Sequence, residues 1–399
     1  MNTVIVTNST SYEPRAEYVA EFFRRRGHQV LMIESDFFHR EKTKGRPAKE
    51  GYRYLDTIPY KKNLSAARLY SHYNFAQKAF KELESAGHID LLYVMVPANS
   101  LTQMAARYKR LHPETKLVLD IIDLWPESLP IPVIKNIFPC TVWRDLRDQY
   151  LKAADLIFTE CRLYQEVLGK RLEGLNVETL YWPKEEKAGE AGQKKRVNET
   201  QQKRNRENLC RMQPEESDSH SIEICYLGSM NNIINIDYIV TLLKEINGRK
   251  PVTLHVIGDG ESREEFLSKL QQAQIDLRYY GVVYDEEQKR EILKNCSYGL
   301  NLMKNTVCVG LTMKSVEYLS YGLMLLNNIP GDTWELVEKE KIGYNCTDEN
   351  VAWVAEMVAA CEYTSNGSRC LTAGEKARKL YETLFSTEAF EAQLEKYLL

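Results

Sequence analysis

At 399 residues, with 43% hydrophobic and 27% charged side chains, the chain is too long for one hydrophobic core and reads as two ordinary globular domains. Its 53 Lys/Arg against 56 Asp/Glu leave a formal net charge of −3, which excludes a global attraction to nucleic acid. Nine scattered cysteines without a C-x-x-C, and no apolar run of the roughly 18 residues a bilayer span needs, exclude zinc-ribbon and membrane-spanning classes and point to reduced thiols in a cytoplasmic protein.

The first strand-like run, 3–8, begins almost at the N-terminus, so no leader is expected. Further runs fall at 28–34, 91–97, 116–123 and 155–160, each short, rich in Val, Ile and Leu, and without polar alternation. That is the pattern of strands buried on both faces. Helical patterns lie between them at 14–26, 64–86, 98–112, 141–153 and 162–172. Alternating β and α predicts a parallel sheet wrapped by helices. Within this half, 37–81 carries eleven Lys/Arg against three acids, a net of +8, interleaved with Tyr60, Tyr70, Tyr73, Phe75 and Phe80. Such a stretch suits an anionic membrane surface, or is simply a solvated face.

Residues 184–220 have almost no apolar content and hold the cations Lys194, Lys195, Arg196, Lys203, Arg204 and Arg206. They are expected to be a disordered linker or insertion. The β/α rhythm then resumes, with strands at 222–228, 252–258, 277–283, 298–303 and 323–328. Helices follow at 233–247, 261–273, 285–295, 312–321 and 333–340, and three more at 350–363, 372–384 and 387–398 close the chain. The expected domains are therefore 1–183 and 221–384, with 385–399 a final helix returning to the first. Ligands in open α/β sheets bind beyond the carboxyl ends of the strands.

At those ends the second half places Gly228 and Ser229, then Gly258 and Asp259, then Gly281 to Val283. The most informative segment runs from Val309 to Asp332. Gly310 and Leu311 lead into a helix with Thr312 as its N-cap. The free N–H groups of that first turn favour an anion. Lys314 lies in the same turn, where a cation is unfavourable for the helix itself, so a bound phosphate would explain it. Glu317 is placed one turn on, with a carboxylate suited to ribose hydroxyls; the alternative from the spacing alone is an ordinary capped surface helix with a Lys/Glu pair. No G-x-G-x-x-G follows the first strand of either half and no P-loop is present, which argues against NAD, FAD or P-loop ATP chemistry.

In the first half, Asp120-Ile121-Ile122-Asp123-Leu124-Trp125-Pro126-Glu127 ends a strand. Asp123 either orients a substrate hydroxyl or caps the turn before Trp125. Asn8 and Ser9 follow the first strand, and Asn99 follows the third. All three are candidates for the acceptor side.

Taken together, 226–229 (YLGS), 256–260 (VIGDG), 279–283 (YYGVV), 310–322 (GLTMKSVEYLSYG) and 120–128 (DIIDLWPES) resemble glycosyltransferase family 4 and its bacterial surface-polysaccharide members. The resemblance implies a GT-B fold, two Rossmann-like doubly wound domains facing each other across a cleft. It implies retaining transfer from a nucleoside diphosphate sugar, a UDP-sugar by analogy, to a glycan or lipid-linked acceptor, with no metal or other cofactor. Matched residue by residue, Glu317 holds the ribose, Gly310 to Lys314 the diphosphate, Val283 the base, and Gly228 and Ser229 the loop below the phosphates. Asp123 and Lys314 become the catalytic candidates. Three positions depart from the family. Val309 stands where its first glutamate is expected, Ile122 where a histidine precedes the aspartate, and 230–240 lacks the basic pair, leaving Lys314, with Lys304 or Arg263 as further candidates, to meet the diphosphate. A degenerate scaffold partner and a sugar-nucleotide epimerase are the alternatives.

Overall fold

A computed structural model describes residues 1–129, 136–184, 221–306, 308–361 and 369–399. All of the polar 184–220 stretch except Lys184, its cation cluster included, lies outside these residues. The chain divides into two compact units, Met1–Pro183 with Thr387–Leu399, and Lys184–Ser386.

The first unit runs β1 (Asn2–Thr7), α1 (Glu13–Arg25), β2 (Gln29–Ser35), β3 (Phe37–Phe38), β4 (Thr43–Lys44), β5 (Tyr52–Leu55), α2 (Ala66–Leu83), β6 (Leu91–Val96), α3 (Asn99–Leu111), β7 (Lys116–Ile121), α4 (Cys140–Asp148), β8 (Leu156–Thr159), α5 (Arg162–Leu168) and β9 (Val177–Thr179). Seven strands form one sheet in the order β5-β2-β1-β6-β7-β8-β9, every pair parallel. β3 and β4 make a separate antiparallel pair. The sheet forms where the apolar runs are: every residue of β6, Leu-Leu-Tyr-Val-Met-Val, is buried. Helix α1 turns Ala16, Val19, Ala20, Phe22 and Phe23 onto it, the spacing of one helical face. Beneath lies a fully buried ion pair, Arg15 to Asp120 at 2.8 Å, completed by the Tyr93 hydroxyl at 2.7 Å and the Leu180 carbonyl.

The second unit runs β10 (Ile222–Leu227), α6 (Ile236–Asn247), β11 (Val252–Ile257), α7 (Arg263–Gln272), β12 (Asp276–Gly281), α8 (Glu286–Leu293), β13 (Tyr298–Asn301), α9 (Met313–Ser320), β14 (Met324–Asn327), α10 (Asp332–Glu340), β15 (Gly343–Asn345), α11 (Val351–Ala360) and α12 (Arg369–Leu384). Its sheet is also all parallel, in the order β12-β11-β10-β13-β14-β15. Both sheets therefore reverse direction beside their first strand, between β1 and β6 and between β10 and β13. Such a reversal opens a crevice at the strands' carboxyl ends. The last helix, α13 (Thr387–Leu398), rejoins the first unit, where Phe390, Leu394 and Leu398 enter its core.

Cys140, Cys161, Cys225, Cys296 and Cys346 are buried free thiols. Cys361 is disulfide-bonded, so the expectation of reduced thiols does not hold for it. Among the described residues no helix is long and apolar enough to cross a membrane.

Candidate functional site

In the second unit the loops after β10, β11 and β12 are stitched side by side. Gly258 N–H donates to the Gly281 carbonyl at 2.7 Å, and Gly228 N–H to the Ile257 carbonyl at 2.9 Å. A Cβ on Gly258 would lie 2.0 Å from the Gly228 oxygen, and Gly258 has φ +136°. The first task of these glycines is thus to let backbones pack. Ser229 is exposed, and its carbonyl accepts from the Tyr226 phenol at 2.8 Å. Asp259 is exposed and turned to Arg263 at 3.3 Å, so Arg263 is not a spare cation. Val283 is buried in the loop after β12.

Helix α9 begins beside this edge. Thr312 is its N-cap in a reciprocal capping box with Ser315. The Thr312 hydroxyl is itself fixed by a ladder of asparagines, one at the end of each of β13, β14 and β15. It donates to Asn301 at 2.8 Å, Asn301 to Asn327 at 2.9 Å, and Asn327 to Asn345 at 2.8 Å. Gly310 and Leu311 are buried, and the Gly310 carbonyl takes both the N–H and the hydroxyl of Thr333. Tyr318, on the inner face, accepts from Leu227 N–H at 2.7 Å and lies where a Cβ on Gly299 would stand 2.3 Å away.

Lys314 leaves the first turn of α9 across Gly228, whose added Cβ would meet its Cε at 2.9 Å. Its ammonium donates to the Tyr226 oxygen at 3.0 Å and sits 4.3 Å from that ring's centre. Among the described residues no carboxylate pairs with it, and burial pushes its pKa down to about 8. A half-buried cation at a capped helix start, over a glycine loop, is an arrangement that an anion completes.

Glu317, one turn along, is held by Lys289 of α8 at 2.8 Å and by Lys184 at 2.9 Å, both at Oε1. No hydrogen bond from a described residue reaches Oε2. Lys289 also binds Glu286, which accepts from the Tyr321 phenol. Glu317 therefore faces the helix that follows the Val283 loop, one turn along α9 from Lys314. Lys184, Lys289, Tyr226 and Tyr318 were not legible as site residues. Each reaches the site from a different element, and only the three strand-terminal asparagines left a repeated mark in the sequence.

In the first unit a cavity of about 160 Å³ opens at the carboxyl end of the sheet, lined among others by Asn8, Ser9, Tyr12, Arg68, His72 and Asp123. The three acids of 120–128 have separate tasks. Asp120 neutralises Arg15, Glu127 takes Arg147 at 2.8 Å and Arg144 at 2.9 Å, and Asp123 lines the cavity. Asp123 accepts from Ser128 at 2.7 Å and from Tyr12 at 3.3 Å, and burial raises its pKa. It thus both caps its turn and faces the open space. Asn99 does not: it is fully buried, and its amide donates to the Trp125 and Trp143 carbonyls at 2.8 and 3.0 Å. The acceptor-side expectation for Asn99 fails because the turn after β7 and helix α4 close over it.

Residues 221–362 match the family model of glycosyl transferases group 1. No curated protein matches the chain by sequence. Among solved structures it resembles the Anabaena protein HepE in complex with UDP and glucose, at 13% identity over 100% of this chain and 99% of that one, TM-score 0.63. It also resembles sucrose-phosphate synthase from Thermosynechococcus elongatus, at 13% identity over 99% and 98%, TM-score 0.67. A third is the lipopolysaccharide outer core galactosyltransferase WaaB in apo form, at 14% identity over 100% and 99%, TM-score 0.63. The fold is GT-B, and the second unit carries a glycosyltransferase domain.

Proposed function

We propose that this glycosyltransferase moves a sugar, with retention, from a uridine diphosphate sugar held by the second unit to a glycan or lipid-linked acceptor held by the first. The observation that carries the reading is Lys314, half-buried over the Gly228 loop at the capped start of α9 with no carboxylate of the described residues beside it. The diphosphate docks there, and the fixed N–H dipoles and the ammonium take up the charge that grows as the anomeric C–O bond breaks. Oε2 of Glu317 accepts from a ribose hydroxyl while Oε1 stays with its lysines. The base lies against the loop at Val283. The acceptor hydroxyl forms the new bond on the face the diphosphate leaves, and its proton passes to the departing phosphate oxygen. Asp123 orients that hydroxyl, with Asn8 and Ser9 beside it. Uridine is favoured because HepE was solved with UDP and with UDP-glucose.

Synthesis of a surface polysaccharide in the cytoplasm, at the inner face of the membrane, fits the sequence resemblance and the basic 37–81 segment. Calorimetry with UDP tests the donor site. Lys314→Ala should weaken UDP binding by about 10- to 100-fold, the scale of one charge-assisted phosphate contact or two. Glu317→Ala should weaken UDP more than inorganic pyrophosphate, which has no ribose. Unchanged affinity in both variants would remove the assignment.

A further inference from the structure

The basic stretch 37–81 is not uniform. Lys44, Arg46, Lys49, Arg53 and Lys78 each lie within 4.0 Å of a carboxylate. Lys42 and Arg68 pair with none among the described residues. Both converge on Asn63: Lys42 donates to its side-chain oxygen, and Arg68 to its carbonyl at 3.0 Å. Arg68 lines the cavity of the first unit, 5.8 Å from the Trp125 ring centre, and spends one further N–H on His72 at 3.4 Å.

The rest of that cavity awaits a polar occupant. His72 Nδ1 and Asn8 Oδ1 are buried without a hydrogen-bond partner. An unmatched buried polar atom is costly, so such atoms mark places where a ligand or water completes the set. His39 and Tyr60, bonded to each other, form part of the wall. Burial and the charges of Arg68, Lys42 and Arg40 push the pKa of His39 down to about 4, so it is neutral at physiological pH. Burial likewise lowers that of His72. Among the described residues that line the space the fixed charges are therefore Arg68 and Asp123, near enough for the guanidinium to act on the carboxylate but not in ion-pair contact. A neutral sugar would leave the guanidinium unmatched.

We propose that this cavity is an acceptor subsite for a sugar that bears an oxyanion, a phosphate ester or a carboxylate, bound by Arg68 with Lys42, 4.6 Å from the centre of the Tyr60 ring in its wall, adding charge nearby, while Asp123 takes the reacting hydroxyl. This rests on reading the first unit as the acceptor side. A guanidinium offers two parallel N–H groups to such an oxyanion. Asp123 repels it, which fixes the direction in which the acceptor enters.

Titration of the full chain with glucose 1-phosphate, glucuronate and glucose tests the idea. The two acidic sugars should bind about tenfold tighter than glucose, and Arg68→Gln should abolish that preference while Arg68→Lys keeps part of it. UDP affinity, measured on the same samples, should not change in either variant, and the melting transition of the first unit should stay at the parent temperature, which shows that the fold around Arg68 is intact. Equal affinity for charged and neutral sugars, or a preference that survives Arg68→Gln, overturns the proposal. Failure of UDP to bind would sink the donor reading alone, because the sugar titrations compare variant with parent. Flotation on phosphatidylcholine vesicles, with and without phosphatidic acid, separates the sources. Retention lost in Arg68→Gln marks a lipid-borne phosphate, and retention kept while the sugar preference is lost marks a soluble acidic sugar.

Discussion

Lys314 weakens the fold that holds it. Burial lowers its pKa from an ordinary 10.5 to about 8. The folded protein therefore binds the proton less tightly than the unfolded chain does. The cost is fully present below pH 8 and fades as the pH rises toward 10.5, where the unfolded lysine also loses its charge. Each tenfold loss of proton affinity is worth ~1.4 kcal/mol, so the cost, less the contact with Tyr226, is about 1–3 kcal/mol. Lys314→Met should therefore melt several degrees higher than the parent at pH 7, and the gap should shrink between pH 8 and 10.5. Saturating UDP should reverse the order at pH 7, because it binds the parent better. A methionine variant that is no more stable at pH 7 would mean that the lysine is not strained. Part of this was legible, because a cation in a helix's first turn contradicts the helix dipole. The inward turn of Asn99 was not, since a polar residue after a strand reads the same whether it faces a ligand or a carbonyl.

Among elements, the ten apolar runs predicted as strands all became strands, because a continuous Val/Ile/Leu run has few ways to hide other than the middle of a parallel sheet. Three of the four edge strands of the two sheets, β5, β9 and β15, escaped prediction, and the fourth, β12, did not. β5 reads Tyr-Arg-Tyr-Leu and β9 reads Val-Glu-Thr, short and mixed in polarity, since an edge is covered on fewer sides. The glycines after strands were visible as a set, but their packing against one another was not. That packing gives the element-scale prediction. In Gly258→Ala the new Cβ would collide with the Gly228 carbonyl at a φ that alanine resists. Urea melts should show a loss of about 3 kcal/mol. UDP affinity should fall with it, because the Gly228 loop under Lys314 is what must move. Unaltered stability would mean that the two loops are not locked together.

The whole chain passes from the first unit to the second at Pro183 and returns at Thr387. The return is structural. Phe390, Leu394 and Leu398 are at most 4% exposed, in one core with Phe22, Phe23 and Tyr93. Arg25 and Arg26 meet Glu391, and Lys116 donates to the Tyr397 carbonyl at 2.9 Å. Burying three such side chains is worth about 5–9 kcal/mol at ~1.5–3 each, against a typical domain stability of ~5–15. The exposed ion pairs add little. A chain ending at Ser386 should therefore lose or sharply lower the melting transition of the first unit. The second unit keeps its own sheet and core, so its stabilisation by UDP should survive. Scanning calorimetry with and without UDP reads both at once. If the truncated chain keeps two transitions at the parent temperatures, α13 is an appendage. If UDP no longer shifts either one, the second unit also depends on the first, and the donor site is not self-contained.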